Sequence, residues 1–238
     1  LEYGGNEIEM IHRAIEKCGR PIVLSLSPGP AMVEQAEHLR KYANLWRITN
    51  DFWDCWENIM EMFERCNNWA PYVSEGCFPD CDMLPIGHIS IRGCEHGLSD
   101  RWTRLSKAEQ RTMLTLWNIF RSPLMIGCEL TDMDEWTKSL LTNEEVLALL
   151  KKSRNAHQAI RQGDMIVWQA DDEEGNVYLA VFNTTNWNEN FAVDFRALDL
   201  SGSYKMRDLW KKKDLGEIEG KLVVEVESHG AKLYRLSK

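Results

Sequence analysis

Arg47 and Asp51 stand four residues apart in Leu45-Trp46-Arg47-Ile48-Thr49-Asn50-Asp51-Phe52-Trp53-Asp54-Cys55-Trp56. Here a short apolar run passes into a polar turn. A guanidinium at a strand end and a carboxylate in the loop beyond it can converge on one point above a sheet. Asp80 and Asp82 follow in a similar place, in Cys77-Phe78-Pro79-Asp80-Cys81-Asp82-Met83-Leu84-Pro85-Ile86-Gly87. Carboxylic acids protonate or attack at an anomeric carbon, and indole faces pack on sugar rings. Acids and Trp together in strand-to-helix loops therefore point to chemistry on a carbohydrate, of the kind that β/α barrels place in such loops.

The elements that must position these groups alternate through the first two-thirds of the chain. A helix is expected over Glu7–Cys18, then a strand at Pro21–Ser25, whose continuous apolar run suits a strand covered on both faces. A helix from about Met32 to Ala43 and a strand at Leu45–Ile48 follow. Asp54 and Glu57 have capping-box spacing for a helix to about Cys66. Leu84–Gly87 reads as a third strand. Ser106 and Glu109 start a further helix to about Arg121, which Ser122-Pro123 stops, and Leu124–Gly127 is the fourth strand. Leu-rich helical turns run from Asp134 to Lys152, with Thr142 and Glu145 again in cap spacing. Such a series implies parallel strands with right-handed crossovers. Four strands do not close a barrel of eight, so this is an open sheet or half of a barrel.

The pattern changes near Asn155. Met165–Trp168, Val177–Phe182, Phe191–Phe195, Tyr204–Leu209, Lys221–Val226 and Ala231–Leu236 are short alternating runs between Gly, Asn, Asp and Ser turns. They read as an antiparallel all-β domain. The division expected is thus 1–154 and 155–238. No linker separates the two, so firm packing between them is expected.

Composition narrows the function. The chain has 238 residues, 44% hydrophobic and 27% charged, with ten Trp and a net charge of −9. No basic stripe stands out, and Lys211-Lys212-Lys213 reads as a solvated hairpin tip, which argues against nucleic acid. No apolar run reaches the roughly 18 residues that cross a bilayer. The seven Cys are scattered among apolar neighbours, as in a reduced chain. Cys77, Cys81 and Cys94 with His88 and His96 match no standard zinc spacing. No metal or organic cofactor is expected.

Several motifs in order resemble glycoside hydrolase family 27, the α-galactosidases and α-N-acetylgalactosaminidases. Trp46-Arg47, Asp51 and Asp54-x-Trp56 resemble the family's acid/base segment. Asp80-Cys81-Asp82-Met83-Leu84-Pro85-Ile86-Gly87 resembles its Asp-Pro-Asp-Met-Leu-x-Ile-Gly signature, with Cys81 in place of Pro. Gly97-Leu98-Ser99, Leu116-Trp117-Asn118-Ile119 and Ser122-Pro123-Leu124-Met125 resemble its last barrel unit. Gln162-Gly163-Asp164, Val181-Phe182-Asn183, Asp208-Leu209-Trp210 and His229-Gly230 resemble its C-terminal β-sandwich. The resemblance implies the C-terminal half, strands five to eight, of a (β/α)8 barrel, followed by an antiparallel sandwich. The missing N-terminal half would then be a partner. The family's nucleophile is an Asp in a Lys-x-Asp segment on strand four, and no such segment lies upstream of Pro21.

The same resemblance assigns roles. Asp51 is the expected general acid/base of a retaining exo-glycosidase, which needs a second carboxyl as nucleophile. Arg47, Asp82 and Met83 are expected to bind the sugar, and Asp80 to brace the loop. Trp46 and Trp53 are expected to offer a ring platform, with Trp56 and Trp117 in the core. Ser27 and Ala31 resemble the small pair that leaves room for an N-acetyl group, although inserted Gly and Pro residues change that loop's path. The expected substrate is a terminal α-galactose or α-N-acetylgalactosamine, and β-L-arabinopyranosidases share the scaffold. The competing expectation is a non-catalytic carbohydrate-binding protein.

Overall fold

The computed structural model describes residues 3–93 and 99–238. Cys94 and His96 of the zinc comparison, and Gly97-Leu98 of the last barrel unit, lie outside the described residues. In chain order the elements are α1 (Gly5–Cys18), β1 (Ser25–Leu26), α2 (Ala36–Tyr42), β2 (Leu45–Arg47), α3 (Trp56–Trp69), β3 (Phe78–Asp80), β4 (Met83–Leu84), β5 (His88–Ile89), β6 (Arg101–Trp102), α4 (Lys107–Phe120), β7 (Met125–Ile126), α5 (Glu135–Leu141), α6 (Glu144–Leu147) and α7 (Leu149–Lys152). The β-rich part comprises β8 (Arg154–Gln162), β9 (Met165–Asp171), β10 (Val177–Asn183), β11 (Glu189–Asp194), β12 (Ser203–Asp208), β13 (Lys213–Glu219), β14 (Lys221–Val226) and β15 (Ala231–Ser237).

β1, β2 and β3 pair in parallel in that order. Cys81 and Asp82 interrupt the third strand, and β4 then pairs in parallel with β7. One stretch, 78–84, therefore serves a neighbour on each side. The fold is α/β: a barrel fragment followed by a β-sandwich. Two expected strands are corrected. The first is Ser25–Leu26, not Pro21–Ser25: bonding to the β2 segment starts at the Leu24 carbonyl, which accepts from Asn44 and Leu45, while Ile22 and Val23 are exposed. The third is not Leu84–Gly87. It begins at Phe78, where Pro79, Asp80 and Asp82 mask the apolar signature, and Gly87 already turns at a positive φ of 65°.

Two expected caps are corrected as well. Asp54 does not cap α3, whose N-cap is Cys55 with no side-chain bond. Asn143, not Thr142, caps α6 through Glu145 N–H. The Ser106–Glu109 capping box on α4 is formed in both directions.

The sandwich sets a six-stranded sheet, ordered β13-β12-β15-β10-β9-β8, against the β11–β14 pair. Alternate residues of the long sheet serve two cores, as a pleat dictates. Ile166, Trp168, Ala170, Tyr178, Ala180 and Phe182 face the barrel fragment, and Met165, Val167, Leu179 and Val181 face the small sheet. Phe63 of α3 packs edge-on to Phe182 at 5.0 Å, and Phe120 of α4 meets Trp168 at 6.1 Å. His229 ties the parts further. Its ring stacks on Trp56 at 3.9 Å, and its nitrogens face Glu109 and Asn186.

Candidate active site

Arg47 ends β2 and spans two carboxylates. Its Nη1 lies 3.1 Å from Asp82 Oδ1 and its Nη2 lies 3.1 Å from Asp51 Oδ1. The Arg47 side chain is 11% exposed and that of Asp51 is 82% exposed, so the fork reaches from the floor of the site to its mouth. The Asp51 contact is a charge-assisted hydrogen bond, and the Asp82 contact is an ion pair.

Asp82 reaches Arg47 from a left-handed backbone, φ 73°, which residues with a Cβ seldom adopt. Three bonds hold it there. Asp80 Oδ1 accepts from Asp82 N–H at 2.8 Å, Asp82 Oδ2 accepts from Phe52 N–H at 2.7 Å, and the Trp117 indole donates to Asp82 O at 3.4 Å. Burial pushes the Asp80 carboxyl up, and the neighbouring Asp82 charge adds to this, while the Asp82 amide and Arg47 oppose it. Next to Asp82, Cys81 N–H donates to Ser122 Oγ, and its thiol lies 3.6 Å from that of Cys66.

The loop after β1 is stitched to the same point. Ala31 N–H donates to Arg47 O at 2.7 Å. Ala31, Arg47, Leu26, Met32 and Asn50 share a crevice of about 530 Å3. Ser27 is exposed and does not line it. Met83 is half-buried, with its sulfur only 2.9 Å from where a Cβ on Gly127 would stand. The structure thus gathers Arg47, Asp51, Asp82 and Ala31, and leaves Ser27 at the rim.

Trp46 is corrected. Alternation along β2 turns it away from Arg47 into the core, where it is 1% exposed and packs on Trp69 at 5.8 Å. Trp46 also lines the crevice that Arg47 and Ala31 share. Trp53 is half-buried, and the Arg101 guanidinium lies 5.8 Å from its ring.

Two clusters join residues that stand far apart in the sequence. The buried Asp54 carboxylate takes Arg101 and Arg104 from 47 and 50 residues away, Arg101 at 2.5 Å and the Arg104 backbone N–H at 2.9 Å. Burial works against its charge, but the two guanidiniums and the amide outweigh it and hold the carboxyl well below the usual range. His88 lies between Asp100 and Asp132 and stacks on Trp102 at 5.3 Å. Its bonds to Asp100 and Asp132 raise its pKa. Among the described residues no group of three or more His, Cys, Asp or Glu is arranged to hold a metal.

An exposed carboxylate tethered to an arginine can deliver and recover a proton at a bond lying above it. Arg47 and Asp82 can hold hydroxyls beside that bond. The model of the family described as alpha galactosidase A matches residues 4–152, and that of the alpha galactosidase C-terminal beta sandwich domain matches residues 162–236. Alpha-galactosidase 2 of Arabidopsis thaliana is 27% identical over 95% of this chain and 54% of its own length. The alpha-galactosidase of Cyamopsis tetragonoloba is 24% identical over 94% of this chain and 52% of its own. The chain spans about half the length of the curated relatives it matches. Among solved structures, a family 27 β-L-arabinopyranosidase from Geobacillus stearothermophilus, in complex with arabinose, is 50% identical with a TM-score of 0.96, over 99% of this chain and 55% of that one. A putative α-N-acetylgalactosaminidase from Bacillus halodurans is 40% identical with a TM-score of 0.83, over 97% of this chain and 53% of that one.

Proposed function

Since the chain belongs to the α-galactosidase family, glycoside hydrolase family 27, we propose that it supplies the acid/base half of a retaining exo-glycosidase site. The observation that carries this reading is the Arg47 fork, which holds Asp51 at the mouth and Asp82 at the floor above parallel strand ends. In this reading Asp51 protonates the departing glycosidic oxygen and then takes a proton from water. A carboxylate on a barrel strand beyond the four in this chain forms and releases the glycosyl-enzyme bond. Arg47 and Asp82 hold ring hydroxyls, Met83 and Ala31 shape the ring's surroundings, and the chain's parallel strands serve as strands five to eight of the barrel. The unpaired outer edges of β1 and β7, with Ile22, Val23, Met125 and Ile126 exposed beside them, support docking against the rest of a barrel.

The favoured substrate is a terminal β-L-arabinopyranoside. Its ring has the α-D-galactoside configuration without the C6 hydroxymethyl group. The 50% identical arabinopyranosidase supports this choice. Ser27, one of the two residues behind the N-acetyl expectation, stands off the crevice that Ala31 and Arg47 share.

The test uses the protein with a complete barrel and the nitrophenyl β-L-arabinopyranoside, α-galactoside and α-N-acetylgalactosaminide. The first should turn over fastest. Asp51→Asn should cost roughly 10²–10⁴-fold on substrates with poor leaving groups, and much less on activated aryl glycosides. Added azide should restore turnover and give a glycosyl azide of retained configuration. Equal loss on every substrate without azide rescue would mean that Asp51 only binds or braces.

A further inference from the structure

A second crevice lies at the seam between barrel fragment and sandwich, and it shares no lining residue with the crevice at Arg47. Its volume is about 340 Å3, at the small end of the range for specific small-molecule sites. α4 and α5 form one wall. The turn after β12 and the start of β15 form the other.

The floor is apolar, made by the buried Leu140 and Ala231. Two indoles flank it. Trp136 spends its N–H on Gln110 Oε1 at 3.0 Å, and Trp210 spends its own on Thr115 Oγ1 at 2.8 Å, both acceptors lying on α4. The indole carbons are therefore what the crevice offers an occupant, with the Trp136 ring also holding the Lys107 ammonium at 5.0 Å and the Arg111 guanidinium at 5.3 Å.

Cations outnumber carboxylates around the crevice, which Asp208 also lines. Arg111 is matched by Glu227 at 2.7 Å, and Lys211 lies 3.9 Å from Asp208. Lys212 and Lys232 also line the crevice and make no ion pair among the described residues. Two such ammoniums border one crevice on a chain of net charge −9.

We propose that the seam crevice binds one carboxylate-bearing pyranose of a glycan. The C–H face of the ring lies on the indole carbons and the apolar floor, and the carboxylate lies between Lys212 and Lys232. The room exceeds what a bare anion fills, and the indoles give nothing to an anion alone. The site stands independently of the catalytic reading, because it shares no residue with Asp51, Arg47 or Asp82.

The experiment titrates the chain with methyl β-D-glucuronide, methyl β-D-glucoside and sodium acetate, following tryptophan fluorescence and the indole N–H resonances. The glucuronide should bind at least roughly tenfold tighter than either control, and its shifts should fall on Trp136 and Trp210. Lys212→Gln with Lys232→Gln should reduce the glucuronide to the glucoside's affinity with melting temperature unchanged. Glucoside binding equal to glucuronide binding would overturn the proposal, as would acetate competing with equal strength. The wild-type comparison decides the matter even if the double variant fails to fold.

Discussion

At the scale of single residues, Asp54 is the group whose job the structure changes most. Its spacing to Glu57 suggested a helix cap, yet it anchors Arg101 and Arg104 beside the site. Its folded pKa is depressed, so it contributes stability above the unfolded carboxylate value, about 3.9, and that contribution is lost as pH falls through the folded value. Asp54→Asn should lower stability at pH 7 by roughly 2–3 kcal/mol, at the modest end because Arg104 is largely in water. Urea unfolding of both proteins from pH 7 to pH 3 should show the gap between the two curves constant down to about pH 4 and narrowing below it. A constant offset at every pH would contradict the charge-pair account. The contact of Arg47 with Asp51 was readable because a strand end and the loop after it are contiguous in sequence. The partners of Asp54 were not, because nothing local marks a contact 47 residues distant.

At the scale of elements, the sequence misled where strands are polar. β8 and β13 were both missed, and they are the two edges of the six-stranded sheet. Only one side of an edge strand pairs, and its residues stay near water, so β13 reads Lys-Asp-Leu-Gly-Glu-Ile-Glu without an apolar face. Lys211 and Lys212, read as a hairpin tip, do lie in the turn between β12 and β13, and Lys213 opens β13 opposite Asp208. The barrel strands failed differently. They are two or three residues long, and their apolar flanks blurred the bounds. Among the described residues, the outer edges of β1 and β7 are unpaired, and Ile22, Val23, Met125 and Ile126 are exposed in or beside these strands. The chain by itself should therefore self-associate in sedimentation velocity, and Val23→Lys with Ile126→Lys should shift it towards monomer. A monodisperse wild-type monomer across a hundredfold range of concentration would contradict this.

At the scale of the molecule, barrel fragment and sandwich share one core. Phe182, a sandwich residue, is fully buried against Phe63 of α3. Phe182→Ala should cost roughly 3–5 kcal/mol, as large-to-small changes in packed cores do. The loss should appear as one calorimetric transition moved to lower temperature, because neither part can release its shared face alone. Two separated transitions, with only the sandwich shifted, would mean that the parts unfold independently. The continuous packing was foreseeable from the missing linker. The face of the sheet that does the packing follows from alternation, since Ile166, Trp168 and Ala170 take one parity and Met165 and Val167 the other.

α4 lies where that shared core is thickest, with ten of its 14 residues buried. A helix covered all round has lost the usual contrast between a greasy side and a wet side, so hydrophobicity alone leaves its rotation about its own axis undetermined. Its polar residues supply the missing address. Thr112 Oγ1 donates to the His229 carbonyl, Gln110 accepts from Trp136, and Thr115 accepts from Trp210. Turning the helix by one residue, about 100°, would strand all three at once in surroundings without water to replace them. Hydrogen-bonding side chains thus act as a key-and-slot index for this helix, and apolar packing then tightens whichever setting the key has selected.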